Sequence, residues 1–294
     1  MSADGPETTI DIDAPVVPRM KVGRWVGIIA LIFSALFILV LLKDAQIQWS
    51  TIPGFFTSQI ILDGLRGTIV LTVSTMLLAF LLGIILAIMR MSSNPVMRIL
   101  SAGYVWLFRA VPQILQLILW FNIGLVVRTI DIPFVYSGPT SDLVTPFVAA
   151  LLGLGLAEAA YMAEIIRGGM RAIDKGQSEA ALSLGMSPLQ TVRRIVLPQA
   201  LKIIIPPTGN EVIGMMKFTS LAFAVAYSEI LSQAARIYST NFLVIEVLMA
   251  AAVWYMILTA ILSVGQRWLE RSLDVNSRQR RAATAGGAPN GSQT

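Results

Sequence analysis

The chain has 294 residues, of which 55% are hydrophobic and only 13% are charged, and its formal net charge is +5. A soluble domain carries about twice that charged fraction, so the composition excludes an ordinary soluble protein and indicates an integral membrane protein. The chain contains no cysteine and no histidine, which excludes disulfides, thiolate or histidine metal sites and histidine acid–base chemistry.

Six apolar stretches are each long enough to cross a bilayer, which takes about 20 helical residues. They lie at 25–42, 67–89, 100–126, 143–166, 203–235 and 247–264. The third contains Arg109 and Pro112 and is expected to bend there. The fifth contains Pro206, Pro207, Gly209 and Gly214 and is expected to be irregular, with Glu229 near its outer end. The sequence therefore predicts an all-α integral membrane protein with six transmembrane helices.

The polar termini, 1–22 and 273–294, are predicted to be disordered tails because their composition cannot form a core.

The distribution of lysine and arginine predicts the orientation of the chain in the membrane, since cytoplasmic loops carry an excess of both. One side of the predicted topology holds only Lys43, Arg66, Arg128 and Arg236, and most other basic residues fall on the opposite side. We therefore predict both termini in the cytoplasm. The excess of basic residues on the cytoplasmic side also explains the positive net charge of the chain, so a nucleic-acid partner is not needed to account for it.

Residues 179–198 form a polar segment between the fourth and fifth spans. Gly185 supplies the left-handed residue that often ends a helix. Ser187, Pro188 and Gln190 are typical of a second helix start, as N-cap, first helical residue and third residue of a capping box. Pro198 lacks a backbone N–H and is expected to end or bend that helix. The segment predicts a hairpin of two short helices, which either packs on its own bundle or contacts another protein.

The same segment contains E-A-A, three residues, G, nine residues and I-x-L-P. The residues of this pattern are Glu179, Ala180, Ala181, Gly185, Ile195, Leu197 and Pro198. It resembles the EAA loop of binding-protein-dependent ABC importer permeases. The segments 161–169, 176–177, 198–201, 209–211 and 217–221 are similar to the polar amino acid subfamily, the histidine/glutamine type. Residues 108–112 resemble the F-R-G-T-P segment of that subfamily.

This resemblance implies a permease domain over 60–272, with the five-helix core of the methionine-importer-like type and one additional N-terminal span at 23–44. It implies that the hairpin 170–200 is a coupling helix that docks on a separate ATPase. Expected partners are two ABC ATPase subunits, a second permease subunit (identical or homologous), an extracytoplasmic solute-binding protein and an amino acid substrate. ATP and Mg²⁺ would be bound by the ATPase, and no cofactor by this chain. The expected location is the bacterial plasma (inner) membrane.

The chain departs from the subfamily pattern in segments that could line a substrate path. Ala110 and Val111 stand where the pattern has Gly and Thr, and Phe218 stands where it usually has Asp. The additional first span is a further departure. These differences concern the substrate more than the transport function.

Ionisable residues inside spans are costly, so each one suggests a function. Arg109, Gln113 and Gln116 have the spacing of one helix face, and the guanidinium could bind a substrate carboxylate. An interhelical ion pair, or snorkelling of Arg109 to the membrane surface, would explain the arginine equally well.

The fourth and fifth spans add further candidate pathway residues. Glu158 could meet a substrate ammonium, and Tyr161 lies between it and Glu164, which could instead be a structural partner of Arg167. Lys217, Thr219 and Ser220 could line a cavity or simply pack. We therefore expect a permease subunit of an importer for polar amino acids. The alternatives are cystine, an opine or another amino acid derivative as substrate, and an ATP-independent secondary carrier. The chain has no Gly-x-x-x-x-Gly-Lys-Ser/Thr phosphate loop, so it is not expected to be an enzyme by itself.

Overall fold

The computed structural model describes residues 22–43, 47–134 and 136–285. Helix α1, Val22–Lys43, forms a unit by itself and occupies the stretch predicted as the additional first span. The predicted N-terminal tail lies outside the described residues, apart from the first residue of α1.

The second unit begins at Gln48 and is almost entirely helical in its described part. Its helices, in chain order, are α2 Ile52–Phe56, α3 Gln59–Met91, α4 Pro95–Ala110, α5 Gln113–Phe121, α6 Thr140–Leu143, α7 Pro146–Arg171, α8 Lys175–Ser183, α9 Pro188–Thr191, α10 Leu197–Phe218, α11 Ile230–Asn241 and α12 Val244–Ala285. A β-hairpin between α5 and α6 consists of β1, Thr129–Ile132, and β2, Tyr136–Pro139, which pair in antiparallel.

Three helices of the described chain are each long and apolar enough to cross a membrane, namely α3, α7 and the part of α12 up to Ser272. The pair α4 and α5 passes the same criteria together and makes a fourth candidate. The fold is therefore the predicted helical membrane fold, and the number of six spans stays a prediction.

Helix α12 continues to Ala285, so residues 273–285 are helical although the sequence predicts a disordered tail. Arginine and alanine, both good helix formers, are frequent there.

Helices α4 and α5 meet at an angle of 98°, which confirms the bend predicted at Pro112. The break falls at Val111 and Pro112, because proline has no N–H to bond to the preceding turn. Gln116 supplies the missing donors, since its Nε2 donates to the carbonyls of Phe108 and Val111, each at 2.9 Å. This elbow sets the direction of the last turn of α4, which carries Arg109.

The stretch predicted as the fifth span is irregular, but not at Pro206 and Pro207, because both prolines lie inside the continuous helix α10. Proline has a helical φ, so a helix can pass through a proline pair with the loss of two hydrogen bonds. The side chain of Gln266 on α12 donates to the Pro206 carbonyl at 3.2 Å. The chain leaves the α-helix only after Phe218, in a 3-10 turn at Thr219–Val225 that ends in left-handed Ala226.

The core lies between α3 and α7, which approach closely because small residues line their contact. A Cβ added at Gly83 of α3 would lie 2.7 Å from the Cβ of Met162, and one added at Gly155 of α7 would lie 2.8 Å from Leu78. Helix α4 joins this pair through the Tyr104 hydroxyl, which donates to the Leu156 carbonyl at 2.9 Å. The α3–α7 pair is thus the frame on which the other elements are placed.

Candidate functional site

The hairpin at residues 175–198, called here the EAA hairpin, has the local structure that its sequence predicts. Helix α8 ends before Gly185, which has a φ of +80°, and the N–H of Met186 donates back to the Ala181 carbonyl at 3.1 Å. Ser187 and Gln190 form the reciprocal capping box, with donor–acceptor distances of 2.9 and 3.3 Å. The turn between α8 and α9 is therefore determined by short-range interactions.

The second helix does not end at Pro198, contrary to one of the two outcomes predicted for this proline. A π-helical turn at Val192–Val196 joins α9 directly to α10, and the Leu197 N–H donates to the Val192 carbonyl five residues earlier. The wider turn removes the need for an N–H at Pro198, which then occupies the first turn of α10. The EAA hairpin is consequently continuous with α10, and only a three-residue turn, 172–174, separates it from α7.

The EAA hairpin buries small residues and exposes leucines. Ala181, Thr191 and Val196 are buried, whereas Leu184 and Leu189 are 84% and 77% exposed. Of the other residues in the E-A-A to L-P pattern, Glu179, Ala180, Leu197 and Pro198 are exposed, and Ile195 is half-buried. Exposed leucines on a polar, well-capped hairpin are typical of a protein contact surface.

A cluster of charges lies where α3, α4 and α7 meet. Glu164 binds Arg90 of α3 at 2.9 Å, and the same carboxylate accepts hydrogen bonds from Arg167. The guanidinium of Arg109 lies 4.8 Å from the centre of the Tyr161 ring, a cation–π arrangement. Arg90, Arg109, Tyr161 and Glu164 line one open pocket of about 440 Å³. Both signs of charge therefore face the same space.

A second acidic group lies deeper on α7. Glu158 is only 1% exposed, and its carboxyl group lies beside that of Glu211 on α10. Arg109 is close enough to both Glu164 and Glu211 to interact with them electrostatically. The Oε1 atom of Glu158 has no hydrogen-bond partner among the described residues. Two adjacent buried carboxyl groups can share a proton or bind a ligand with a cationic or donor group.

The expectation that Arg109, Gln113 and Gln116 share one helix face is wrong, because the elbow places Arg109 on α4 and the two glutamines on α5. Gln116 is buried and uses its N–H groups on the elbow itself, and Gln113 is half-buried as the first residue of α5.

Of the candidate pathway residues predicted on the fifth span, some are buried and some are exposed. Thr219 is buried and donates to the Met216 carbonyl, Ser220 donates to the Lys217 carbonyl, and Lys217 itself is exposed. Sequence spacing missed Arg90 and Glu211 as members of the cluster. Only the packing of α3 and α10 against α7 brings them there.

Comparison with known proteins agrees with this geometry. Residues 79–275 match the family model described as "Binding-protein-dependent transport system inner membrane component". The match covers more than half of the chain and includes both the EAA hairpin and the charge cluster. The chain belongs to this family.

Two relatives show the range of this family of inner membrane components. The "Arginine transport system permease protein ArgU" of Corynebacterium glutamicum is 43% identical over 88% of this chain and 83% of its own length. The "Nopaline transport system permease protein NocM" of Agrobacterium fabrum is 33% identical over 77% of this chain and 92% of its own.

Solved structures of inner membrane components agree with the fold. A crystal structure of an amino acid ABC transporter with histidines superposes with a TM-score of 0.64 at 31% identity, over 72% of this chain and 94% of that one. An inward-facing MetNI methionine ABC transporter superposes with a TM-score of 0.59 at 20% identity, over 74% and 99%. The second likeness concerns the fold alone.

Proposed function

We propose that this chain is the membrane-spanning subunit of an ATP-driven importer for polar amino acids, with amino acids that carry a cationic group as its preferred substrates. The observation that carries the proposal is the connection between the EAA hairpin and the charge cluster. The hairpin joins α7, which holds Glu158, to α10, which holds Glu211. A force applied to the hairpin would therefore reach both helices that carry the acidic pair.

The acidic pair supports the choice of substrate. A substrate ammonium or guanidinium would bind between Glu158 and Glu211, where it would supply a partner for the Glu158 oxygen that has none among the described residues. Arg109 would bind the substrate carboxylate bidentately, and the Tyr161 ring would hold the Arg109 guanidinium in place. The arginine relative supports the same class of substrate, and the amino acid transporter structure supports transport of amino acids as such.

The importer would contain two ATPase subunits, a second permease subunit, identical or homologous, and an extracytoplasmic solute-binding protein. The chain would not be an enzyme by itself, and ATP and Mg²⁺ would bind to the ATPase subunits. The EAA hairpin would dock on the ATPase in the cytoplasm through its exposed leucines. ATP binding would then rotate the permease subunits from inward-open to outward-open. The complex would lie in the bacterial plasma membrane with both termini of this chain in the cytoplasm.

An opine or another amino acid derivative is the second candidate, which the nopaline relative supports. An opine retains an amino acid carboxylate and a basic group, so the same pair of carboxylates and the same arginine would serve it. The two candidates differ in the size of the substrate, and direct competition between them would distinguish them.

The test is the ATPase activity of the complete complex in nanodiscs, with its solute-binding protein and a panel of amino acids. We expect arginine, lysine and histidine to stimulate hydrolysis in the wild type. Glu158→Gln should raise the arginine concentration for half-maximal stimulation by about 10- to 100-fold, since a hydrogen bond to a charged group contributes roughly 1.5–3 kcal/mol. Basal hydrolysis should be unchanged.

Asp63→Asn is the matched control, because Asp63 is exposed near the start of α3 and bonds only to Gln59 among the described residues. It should leave the response to arginine unaltered. Equal stimulation of Glu158→Gln and wild type by arginine would contradict the cationic preference. A wild type that no amino acid stimulates would contradict the importer itself.

A further inference from the structure

The β-hairpin of β1 and β2 lies at the opposite end of α7 from the EAA hairpin. It precedes α6 and the start of α7 at Pro146, whereas the EAA hairpin follows the end of α7 at Arg171. Helix α7 has 26 residues, which at 1.5 Å per residue makes about 39 Å, enough to cross a bilayer. If the EAA hairpin docks on a cytoplasmic ATPase, the β-hairpin is extracytoplasmic.

The β-hairpin is firmly built at its base. Thr129 pairs with Pro139 and Ile132 with Tyr136, and the Thr140 N–H donates to the Arg128 carbonyl at 3.0 Å. The Tyr136 hydroxyl donates to the Pro139 carbonyl at 2.6 Å. Its ring also lies on Gly138, where a Cβ would come within 2.9 Å of the Tyr136 hydroxyl oxygen. The base of the β-hairpin is therefore tied to the start of α6.

Phe134 at the tip combines two features that an isolated hairpin would avoid. Its side chain is fully exposed, at 110% of the reference area, and its φ is +64°. A bulky residue in the left-handed region is a genuine outlier, and such outliers are frequent at sites of function. Ile132 beside it is also exposed, and Arg128 and Asp131 are exposed charged neighbours. An aromatic centre with a charged rim has the composition of a protein interface.

We propose that this β-hairpin, with Phe134 at its tip, is a docking element for the extracytoplasmic solute-binding protein of the importer. The partner is a soluble protein with an apolar depression that takes the phenyl ring. The inference rests on the proposed function, which puts the hairpin outside the cell. A strand of four residues extends about 13 Å, which separates the tip from the base of the β-hairpin by that length. Asp131 next to the tip disfavours insertion into lipid.

The test is Phe134→Asn in the complete complex, because asparagine tolerates the left-handed region and lacks the ring. The solute-binding protein that stimulates the wild-type ATPase is titrated onto each variant. We expect Phe134→Asn to raise its half-maximal concentration by about tenfold or more, as for the loss of a central aromatic contact. Basal hydrolysis and thermal stability should not fall, since the substitution also removes strain.

Phe242→Asn is the matched control. Phe242 is 83% exposed and has a φ of +61°, but lies between α11 and α12. Unchanged affinity in Phe134→Asn would overturn the proposal, and so would an equal loss in both variants. If the wild type responds to no amino acid, the proposed function fails. If the wild type responds and Phe134→Asn behaves identically, only the docking element fails.

A spin label distinguishes protein docking from membrane insertion. The chain has no cysteine, so Ser137→Cys places a single thiol at the exposed Ser137, next to the tip and without loss of Phe134. We expect the solute-binding protein to immobilise the label and to shield it from a water-soluble relaxation agent. A label that collides mainly with oxygen, in nanodiscs without the solute-binding protein, would show a tip in lipid and overturn the proposal.

Discussion

Glu229 shows a buried carboxylate with a structural function. It is fully buried, although the sequence places it near the outer end of the fifth span. Its carboxylate accepts from the N–H groups of Leu231 and Ser232, from the Ser232 hydroxyl and from the Tyr255 hydroxyl, at 2.6–2.9 Å. Because the protein itself supplies four hydrogen-bond donors to the Glu229 carboxylate, few acceptor positions on its oxygens remain for a ligand. Glu158, with an unpartnered oxygen, is the contrasting case.

Glu229→Ala should therefore destabilise the protein. The substitution removes the N-cap of α11 and leaves the Tyr255 hydroxyl without its acceptor. Loss of hydrogen bonds to a buried charge predicts a decrease of about 3–5 kcal/mol in the free energy of unfolding. Tyr255→Phe removes a single bond and should decrease it by about 1–2 kcal/mol. Denaturant unfolding in detergent measures both. Asp63→Ala, at an exposed site, should change it little, and a Glu229→Ala variant as stable as that control would contradict the structural function.

The surroundings of Arg109 show which features of a site the sequence can predict and which it cannot. The sequence indicates both that Arg109 matters and that Pro112 breaks its helix. It cannot supply the angle of the break, which depends on the Gln116 side chain reaching back to two carbonyls and on the packing of α5 against α7. Spacing alone then assigns Arg109 and Gln116 to one face, and the 98° elbow separates them.

Among the elements, the EAA hairpin is predicted best because its signals are short-range. The Gly185 turn and the Ser187–Gln190 capping box involve residues at most five apart, so composition and order determine them. The continuation through Pro198 was not predictable in the same way. It requires a π-helical turn, which is rare and has no reliable sequence signal. The continuity of hairpin and α10 is nonetheless what allows a rigid-body movement to be transmitted.

Gly185→Val should uncouple the importer while leaving insertion into the membrane intact. Valine at a φ of +80° is strained by roughly 1–2 kcal/mol or more, so the turn will change shape and displace Leu184 and Leu189. We expect amino acid uptake and binding of the ATPase to be lost. Gly265→Val on α12 is the control, since a Cβ there meets no atom within 4 Å and the backbone is helical. Normal uptake in Gly185→Val would be incompatible with a coupling function for the hairpin.

For the whole molecule, the pattern of apolar stretches predicts a helical membrane protein, and the E-A-A pattern predicts the family. Neither predicts which helices pack together. The contact between α3 and α7 depends on glycines that are spread over both helices. A glycine in an apolar stretch does not indicate which other helix will pack against it. Arg90 joins the charge cluster only through this packing, and Glu211 only through the packing of α10 against α7. The pocket is therefore a property of the assembled bundle rather than of any one segment.

Gly83→Leu tests whether the α3–α7 contact holds the bundle together. A Cβ at Gly83 would already lie 2.7 Å from the Met162 Cβ, and leucine adds three more carbon atoms. Overpacking usually costs about 1–3 kcal/mol, and more where two backbones cannot separate. We expect lower thermal stability in detergent, together with weaker stimulation by arginine, because separating the two helices moves Arg90 away from Glu164.

Gly103→Leu adds the same side chain on α4, where a Cβ meets nothing within 4 Å, and it should unfold at the wild-type temperature. If Gly83→Leu also unfolds at that temperature, the two helices tolerate a larger separation than the structure implies. The salt bridge between Arg90 and Glu164 then could not depend on close packing, and the positions of the charges around the pocket would have to be maintained by α4 and α10 instead.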